Sequence, residues 1–416
     1  MTEDKPFDHH SPEHATDPVG DYARLRHQGI VRSERHGGFA VLTRFTDITE
    51  VADDHTRFSN ALELPGPEGF GGGITLPHNP AGGRMSLAEM DPPDWRPLRR
   101  MLNPMFKPAA VARFAARLKE ITDECIDRVI EAGECDLVFD LCSPIPAIVA
   151  LEYVGIPTDA WKRFAEPIHK LAYADRDHPD SPEFQQLNAD FQWIYEQVRQ
   201  IIAARRHDSG DGDILAALLN AGEGEEKLDD DLVFETVVTF LVAGIETTTA
   251  LLGSALVHLQ KNPEDRRRLI EDPTLIPTAC EEFLRCYSPS QATARTVTTD
   301  TVIAGEQFHR GDRLLLAWSS ANRDDELFER AGDFVLDRKP NRHLSFGYGI
   351  HRCVGAPLGR QEFVVALAQI LERMPDFEID LTKSHPYPDL GLNYGYMSIP
   401  ATYTPGNVRG PELTAS

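Results

Sequence analysis

The chain has 416 residues, and its 42 Lys and Arg against 66 Asp and Glu give a formal charge of −24, which disfavours nucleic acid and anionic membrane surfaces as partners. Six cysteines (Cys125, Cys135, Cys142, Cys280, Cys286, Cys353) form no C-x-x-C pair, which argues against a zinc site or a disulfide framework and fits a reducing cytoplasm. There is no apolar signal-type segment near Met1 and no run of 18 apolar residues, so a cytoplasmic protein without a membrane anchor is expected.

Residues 1–15 read as a loosely held tail, with His9-His10 a solvated pair rather than a metal site. No Pro/Gly/Ser-rich linker divides the remainder of the chain, so 16–405 is expected to form one large domain, with 406–416 a second flexible tail. A helix near 21–28 precedes a strand at 38–42. The stretch 64–84 differs, because Pro65-Gly66-Pro67-Glu68-Gly69-Phe70-Gly71-Gly72-Gly73 cannot hold a helix and is long for an ordinary connection. Helical periodicity covers 111–132, 161–173, 184–206 and 214–219, punctuated by Pro, Gly and Asp clusters. The acidic runs Glu223-Gly224-Glu225-Glu226 and Asp229-Asp230-Asp231 read as a solvated loop entering a helix N-terminus, where carboxylates are favoured.

From 231 to 260 the pattern is one long, mostly apolar helix that must cross the core, stopped by Asn262-Pro263. Its centre, Ala243-Gly244-Ile245-Glu246-Thr247-Thr248, is an odd choice for a buried face, since Gly weakens a helix and Thr can divert a backbone carbonyl. Thr247 Oγ1 can bond the Ala243 carbonyl and open a local groove. Gly244 leaves space there for a small ligand, and Glu246 places a proton-transferring group next to the hydroxyl. Further on, Glu282 and Arg285 stand three apart on one helix face, and Phe334-Val335-Leu336-Asp337-Arg338 supplies another cation. Strand patterns occupy 302–316 and 393–403.

Between them lies Phe346-Gly347-Tyr348-Gly349-Ile350-His351-Arg352-Cys353-Val354-Gly355. Gly347 and Gly349 permit the positive φ of a tight turn, and Gly355 a close passage under a flat cofactor. The helix that begins at Ala356 places Cys353 just ahead of an N-terminus, where a thiolate is favoured.

These ten residues resemble the signature of the cytochromes P450, Phe-Gly-x-Gly-x-His-x-Cys-x-Gly, at all six fixed positions. The resemblance implies a mainly α (α+β) fold of about a dozen helices with a small β-rich region. Haem b is then expected between the long central helix and the helix after Cys353, with Cys353 as thiolate ligand. Phe346, His351, Arg99 and Arg295 fall on the family's cofactor contacts. Arg99 ends the Asp91-Pro92-Pro93 motif, and Trp95 stands where many bacterial relatives have His. By the same resemblance Glu246 and Thr247 are the acid–alcohol pair that delivers protons during dioxygen activation, and Glu282, Arg285 and Arg338 form a structural triad.

The implied substrate pocket draws on Phe70, Ile74 and Leu87, on Leu241, Val242 and Ala243, on Gln291, Ala292 and Thr293, and on Tyr396 and Met397. These suit a small or medium-sized hydrophobic molecule such as a terpenoid, an aromatic or a natural-product intermediate, with Gln291 and Thr293 bonding one polar group. Electrons are expected from a separate ferredoxin and its NAD(P)H-dependent reductase, docking on a basic patch of Arg100, Arg342 and Arg352. Alternatives within the fold are oxidative coupling and a peroxide-fed peroxygenase; a haem sensor would not need Glu246 and Thr247.

Overall fold

The apolar run Phe39–Leu42 forms the strand expected of it and is buried along its whole length. Antiparallel to it lies Val31–Ser33 and parallel to it Arg313–Leu316, which in turn pairs antiparallel with Thr293–Val297, itself flanked by Phe58–Ser59. Alternation of side chains across the pleat sends Ala40, Leu42, Leu314 and Leu316 into one apolar cluster and Phe39, Val41 and Leu315 into another. This sheet is the framework of the first of two compact units, Met1–Arg99, Glu281–Cys353 and Pro388–Tyr394. The computed structural model describes residues 6–65, 70–77, 83–175, 178–206, 210, 212–221, 227–391 and 393–410. Parts of the loop at 64–84 and the acidic run 223–226 lie outside the described residues.

The second unit, Arg100–Cys280, Val354–Tyr387 and Gly395–Ser416, is built mainly of helices. Each unit is assembled from separated stretches of chain, which is why no linker marks them in the sequence. Fifteen α-helices occur among the described residues, in keeping with a mainly α fold. The helix Asp230–Lys261 starts where Asp229 caps it, its carboxylate accepting from the Leu232 N–H, and it stops at Asn262 before Pro263. Among the described residues it is the one helix long and apolar enough to cross a bilayer, but 72% of its most apolar window is buried inside the protein. Its apolar surface is therefore used as core, packed against Pro144–Val154 and Ala356–Arg373.

Most expected elements appear within a few residues: Pro18–Gln28, Trp161–Leu171, Pro182–Arg205, Ile214–Leu219 and Ala356–Arg373. The helix expected over 111–132 is instead two, Pro108–Arg113 and Ala115–Asp127, because Phe114 relaxes to ψ −4° and breaks the hydrogen-bond ladder. The strand pattern at 302–316 resolves into Thr301–Ile303, Glu306–Phe308 and Arg313–Leu316, folded back at Ala304-Gly305, both at positive φ.

Both expected tails need correcting. Residues 6–15 are not loose: Phe7 is 8% exposed within the apolar cluster under the sheet, His14 is 1% exposed, and Ser11 caps the helix Pro12–Thr16. Burying a Phe side chain contributes about 2 kcal/mol, enough to hold a short segment down. His9, at 2% exposed, is no solvated accident. At the other end, 406–410 is tied to the second unit: Gly406 N–H bonds the Ile130 carbonyl (2.9 Å), and the Arg409 and Gly410 N–H groups bond Asp127 (3.1 and 3.0 Å).

Candidate active site

In the first unit, the segment leading to Cys353 is fixed by a buried polar network. Leu344 N–H donates to Asn322 Oδ1 (2.6 Å), Ser345 Oγ to the Leu284 carbonyl (2.7 Å), and Asn322 Nδ2 to Ser288 Oγ (2.7 Å) and Ser345 Oγ (2.8 Å). The turn after Phe346 needs left-handed backbone, supplied by Gly347 (φ +69°) and Gly349 (φ +68°). A Cβ at Gly349 would lie 2.2 Å from the Ala52 carbonyl oxygen, so only glycine fits. Cys353 N–H then closes on the Phe346 carbonyl (2.8 Å), and the cysteine is left exposed just before helix Ala356–Arg373.

Around this loop the same unit gathers nitrogen donors. Arg99 Nη2 donates to the Arg352 carbonyl (2.8 Å), and its guanidinium lies 5.7 Å from the centre of the Trp95 ring. Burial pulls the Arg99 pKa down, opposed by negative charge on the nearby Cys353 sulfur. Arg295 is 3% exposed; its Nη1 donates to Thr293 Oγ1 (3.2 Å) and the Ala294 carbonyl (2.7 Å). Among the described residues no carboxylate pairs with it, and burial pulls its pKa down to about 10 against the pull of Asp91. Trp95 Nε1 is buried without a partner among the described residues. His351 meets Trp95 edge-on and bonds Asp91 Oδ1 through Nε2 (3.2 Å); burial lowers its pKa, with Asp91 opposing and Arg295 adding to the shift.

Glu282 and Arg285 are both fully buried, and Arg338 nearly so. The Glu282 carboxylate accepts from Arg285 Nε and Nη2 (2.8 Å each), Arg338 Nε (3.1 Å), Val335 N–H (2.7 Å) and Asn341 Nδ2 (3.0 Å). Burial alone would raise its pKa, but Arg285 and the other donors outweigh it and hold the carboxylate below its usual range. The expected triad is thus a satisfied ion cluster.

In the second unit, Thr247 Oγ1 donates to the Ala243 carbonyl (2.8 Å) as expected, and the helix remains unbroken. Ala243 is exposed and Thr247 half-buried on a helix otherwise mostly buried along its second half, so this stripe faces accessible space. Gly244 is half-buried, and a methyl group there would sit 3.7 Å from Ala150 Cβ, at ordinary contact distance, so packing does not require the glycine. One expectation changes: Glu246 does not reach the Thr247 hydroxyl, since its Oε2 meets His169 Nδ1 (2.9 Å) and its Oε1 accepts a short bond from the Tyr387 hydroxyl. Burial lowers the His169 pKa, but the Glu246 charge and hydrogen bond outweigh it and the net shift is upward; Tyr387 is pushed well up by burial and by Glu246. Glu246 therefore sits in a three-membered proton-holding cluster.

His169, Tyr387 and Glu362 were not found by sequence reasoning. His169 lies on an apolar helix face between Ile168 and Lys170, and Tyr387 comes from a distant turn, so spacing carries no signal for either. Glu362 is buried on helix Ala356–Arg373 near Thr248, its Oε2 has no partner, and burial raises its pKa to about 8. A lone Glu in a helical run reads as a solvated face.

With this geometry in hand, comparison with known proteins is decisive. The family model described as Cytochrome P450 matches residues 179–400. Cytochrome P450 CYP107DY1 of Priestia megaterium is 31% identical over 86% of this chain and 83% of its own length. The chain belongs to the cytochrome P450 family. Another member, a steroid C26-monooxygenase of Mycolicibacterium smegmatis, is 33% identical over 92% of both chains. The crystal structure of CYP109E1 from Bacillus megaterium in complex with testosterone superposes with a TM-score of 0.82 at 26% identity, covering 94% of this chain and 99% of that one.

A cytochrome P450 is a haem-dependent monooxygenase, and the residues present fit that group. Haem carries two carboxylates, and the first unit offers a buried guanidinium without an anionic partner among the described residues (Arg295), a second near the cysteine (Arg99) and a buried indole N–H without an acceptor (Trp95). The expected P450 substrate residues are placed by the unit they belong to. In the first, Leu87 and Ala292 are buried and Ile74 half-buried, and the Phe70 side chain lies outside the described residues. In the second, Leu241 is buried, Val242, Tyr396 and Met397 are half-buried and Ala243 is exposed. Gln291 and Thr293 are already engaged: Gln291 Nε2 donates to the Ser288 carbonyl, and Thr293 Oγ1 accepts from Arg295 Nη1 (3.2 Å) and Trp318 Nε1 (3.0 Å).

Proposed function

We propose that this monooxygenase oxidises a neutral, apolar molecule of terpenoid or steroid size, with Cys353 as the thiolate ligand and electrons from a separate ferredoxin with its NAD(P)H-dependent reductase. The observation that carries the haem assignment is the anion-seeking donor set of Arg99, Arg295 and Trp95 in the same unit as the exposed Cys353. When bound, haem supplies the redox centre that activates dioxygen. Cys353 Sγ would hold the metal, and Trp95 Nε1, Arg99 and Arg295 would hold the carboxylates. Apolar side chains and internally satisfied polar ones favour a substrate bound by dispersion and burial rather than by a charge. The steroid acted on by the Mycolicibacterium relative and the testosterone in the CYP109E1 complex fit that description. Arg342 and Arg352 are exposed on the first unit, basic side chains suited to an acidic ferredoxin, and Arg100 is exposed on the second.

Protons reach Thr247 Oγ1 from the His169–Glu246 pair, once the Glu246 side chain turns away from Tyr387. Each proton leaving Glu246 is replaced from His169 Nδ1. In a reconstituted ferredoxin system, Thr247→Ala should divert reducing equivalents from product to hydrogen peroxide, and Glu246→Gln should slow product formation about 100-fold. NADPH consumed, product and peroxide are measured together; an unchanged ratio of product to NADPH in both variants removes this pair from the proton route.

The substrate class is tested by titrating neutral steroids and terpenoids, and in parallel long-chain fatty acids, while following the haem absorbance change. Saturable shifts with the neutral compounds at micromolar concentration are expected. Shifts with the fatty acids alone would contradict the reading.

A further inference from the structure

Three histidines in the first unit meet far from the cysteine loop in sequence. One ring nitrogen from each of His9, His10 and His36 lies within 4.8 Å of the other two. The ring centroids are separated by 4.3 Å (His9–His10), 5.6 Å (His9–His36) and 5.3 Å (His10–His36). Two of them are backed by carboxylates: His10 Nδ1 by both oxygens of Asp389 (2.9 and 2.8 Å), and His36 Nε2 by Asp8 Oδ1 (2.8 Å). His9 is 2% exposed, yet its Nδ1 has no hydrogen-bond partner among the described residues. A buried imidazole nitrogen left unbonded is costly, and such a group asks for a ligand.

The outer carboxylates matter as much as the inner nitrogens. Metal-bound histidines characteristically give their second ring nitrogen to a carboxylate, which fixes the ring and raises its basicity. Asp8 and Asp389 stand in those places. Asp389 is itself held by the Gly391 N–H (2.7 Å), and Asp8 by the His10 N–H (3.0 Å) and by Arg35 Nε (3.3 Å). His36 sits in left-handed backbone at φ +51°, a conformation a non-glycine residue adopts at a cost, and this turns its ring toward the other two. His9 Nε2 and His10 Nε2 both bond the Leu76 carbonyl oxygen (2.9 and 2.6 Å), which ties the two rings together; a metal would draw on His9 Nδ1 and would have to take His10 Nε2 from that carbonyl.

We infer that His9, His10 and His36 form a second metal site, separate from the haem, that binds one zinc ion. Imidazole suits zinc, and a three-histidine set leaves a fourth position for solvent. Zinc–nitrogen bonds of about 2.0–2.1 Å would bring the nitrogens to about 3.4 Å apart. Rotation of His10 and His36, 14% and 21% exposed, can supply that closure, and the same exposure gives the ion a way in. Two carboxylates around a divalent ion balance its charge. The ion would cross-link the N-terminal segment to the turn holding His36, and through Asp389 to the stretch of chain at 388–394.

The test uses the tag-free, haem-loaded full chain, stripped with EDTA and titrated with zinc chloride by calorimetry, with bound zinc counted by elemental analysis after gel filtration. One zinc per chain is expected, accompanied by a rise in unfolding temperature. His36→Gln, at a partly exposed position, should weaken binding at least tenfold and abolish the thermal shift, with the haem spectrum unchanged as the measure of an intact fold. Asp389→Asn should weaken binding about tenfold by loosening His10. Less than stoichiometric zinc in the wild type, or affinity unaltered in both His36→Gln and His10→Gln, would overturn the site and show the histidines to be a hydrogen-bonded cluster only.

Discussion

Replacing Glu282 by Gln should destabilise the protein by about 3–5 kcal/mol and leave most purified chains without haem. The substitution keeps shape but turns one accepting oxygen into an N–H donor and removes the charge offsetting two guanidiniums, Arg285 and Arg338, that are 0% and 9% exposed. Arg285 cannot move to water: its Nη1 is bonded to the Asn322 and Ala331 carbonyls (2.9 and 2.8 Å), and its Nη2 to the Asp333 carbonyl (2.6 Å). Arg285 and Asn322 link this cluster to the network that carries Leu344 and Ser345, so its loss propagates to the cysteine loop. Denaturant unfolding and the haem-to-protein absorbance ratio after haem supplementation check this. An unchanged midpoint with full haem content would refute the role. The pH dependence has the same origin. The Glu282 pKa is lowered in the folded state, so its contribution is present above the unfolded carboxylate value and lost as pH falls through the folded one. Glu282→Gln should therefore lose less stability than the wild type on acidification across that window.

Local chemistry was legible in the sequence and tertiary partners were not. The turn at Gly347 and Gly349 and the bond from Thr247 to Ala243 each depend on residues within four positions of one another, and each stands where the pattern placed it. Arg338 and Glu282 lie 56 residues apart and were joined only through the family resemblance. Adjacency in sequence misled at Glu246, which was paired with its neighbour Thr247, although adjacent helical residues point about 100° apart. The Glu246 carboxylate went instead to His169 and Tyr387, 77 and 141 residues away. The same blindness made a loose tail of 6–15: Phe7 and His9 look solvated until the sheet and Leu76 come back to cover them. Polar composition near a terminus measures hydration of the isolated segment, not the surface it will meet.

On the proposed reading, activity depends on the cysteine loop. Cys353 is the one cysteine of six set in a double-glycine turn, and it is exposed where Cys125, Cys142 and Cys280 are buried. Burial pushes the thiol of Cys125 up to about 12 and that of Cys142 well above its ordinary value, which leaves both inert as ligands near neutral pH. No other group in the 344–355 loop offers sulfur, so a substitution there has no local replacement. Turnover by Cys353→Ala should fall below detection, since Cys353 would be the thiolate ligand on which the haem's oxygen-activating chemistry relies.

The most direct measurement is the carbon monoxide difference spectrum of the reduced, haem-supplemented protein, taken for the wild type, Cys353→Ala and, as a control, Cys286→Ala. The wild type and Cys286→Ala should both give the red-shifted band of thiolate ligation, and Cys353→Ala should lack it. A thiolate band that survives in Cys353→Ala would contradict the assignment of the metal ligand and the reading of the site built on it.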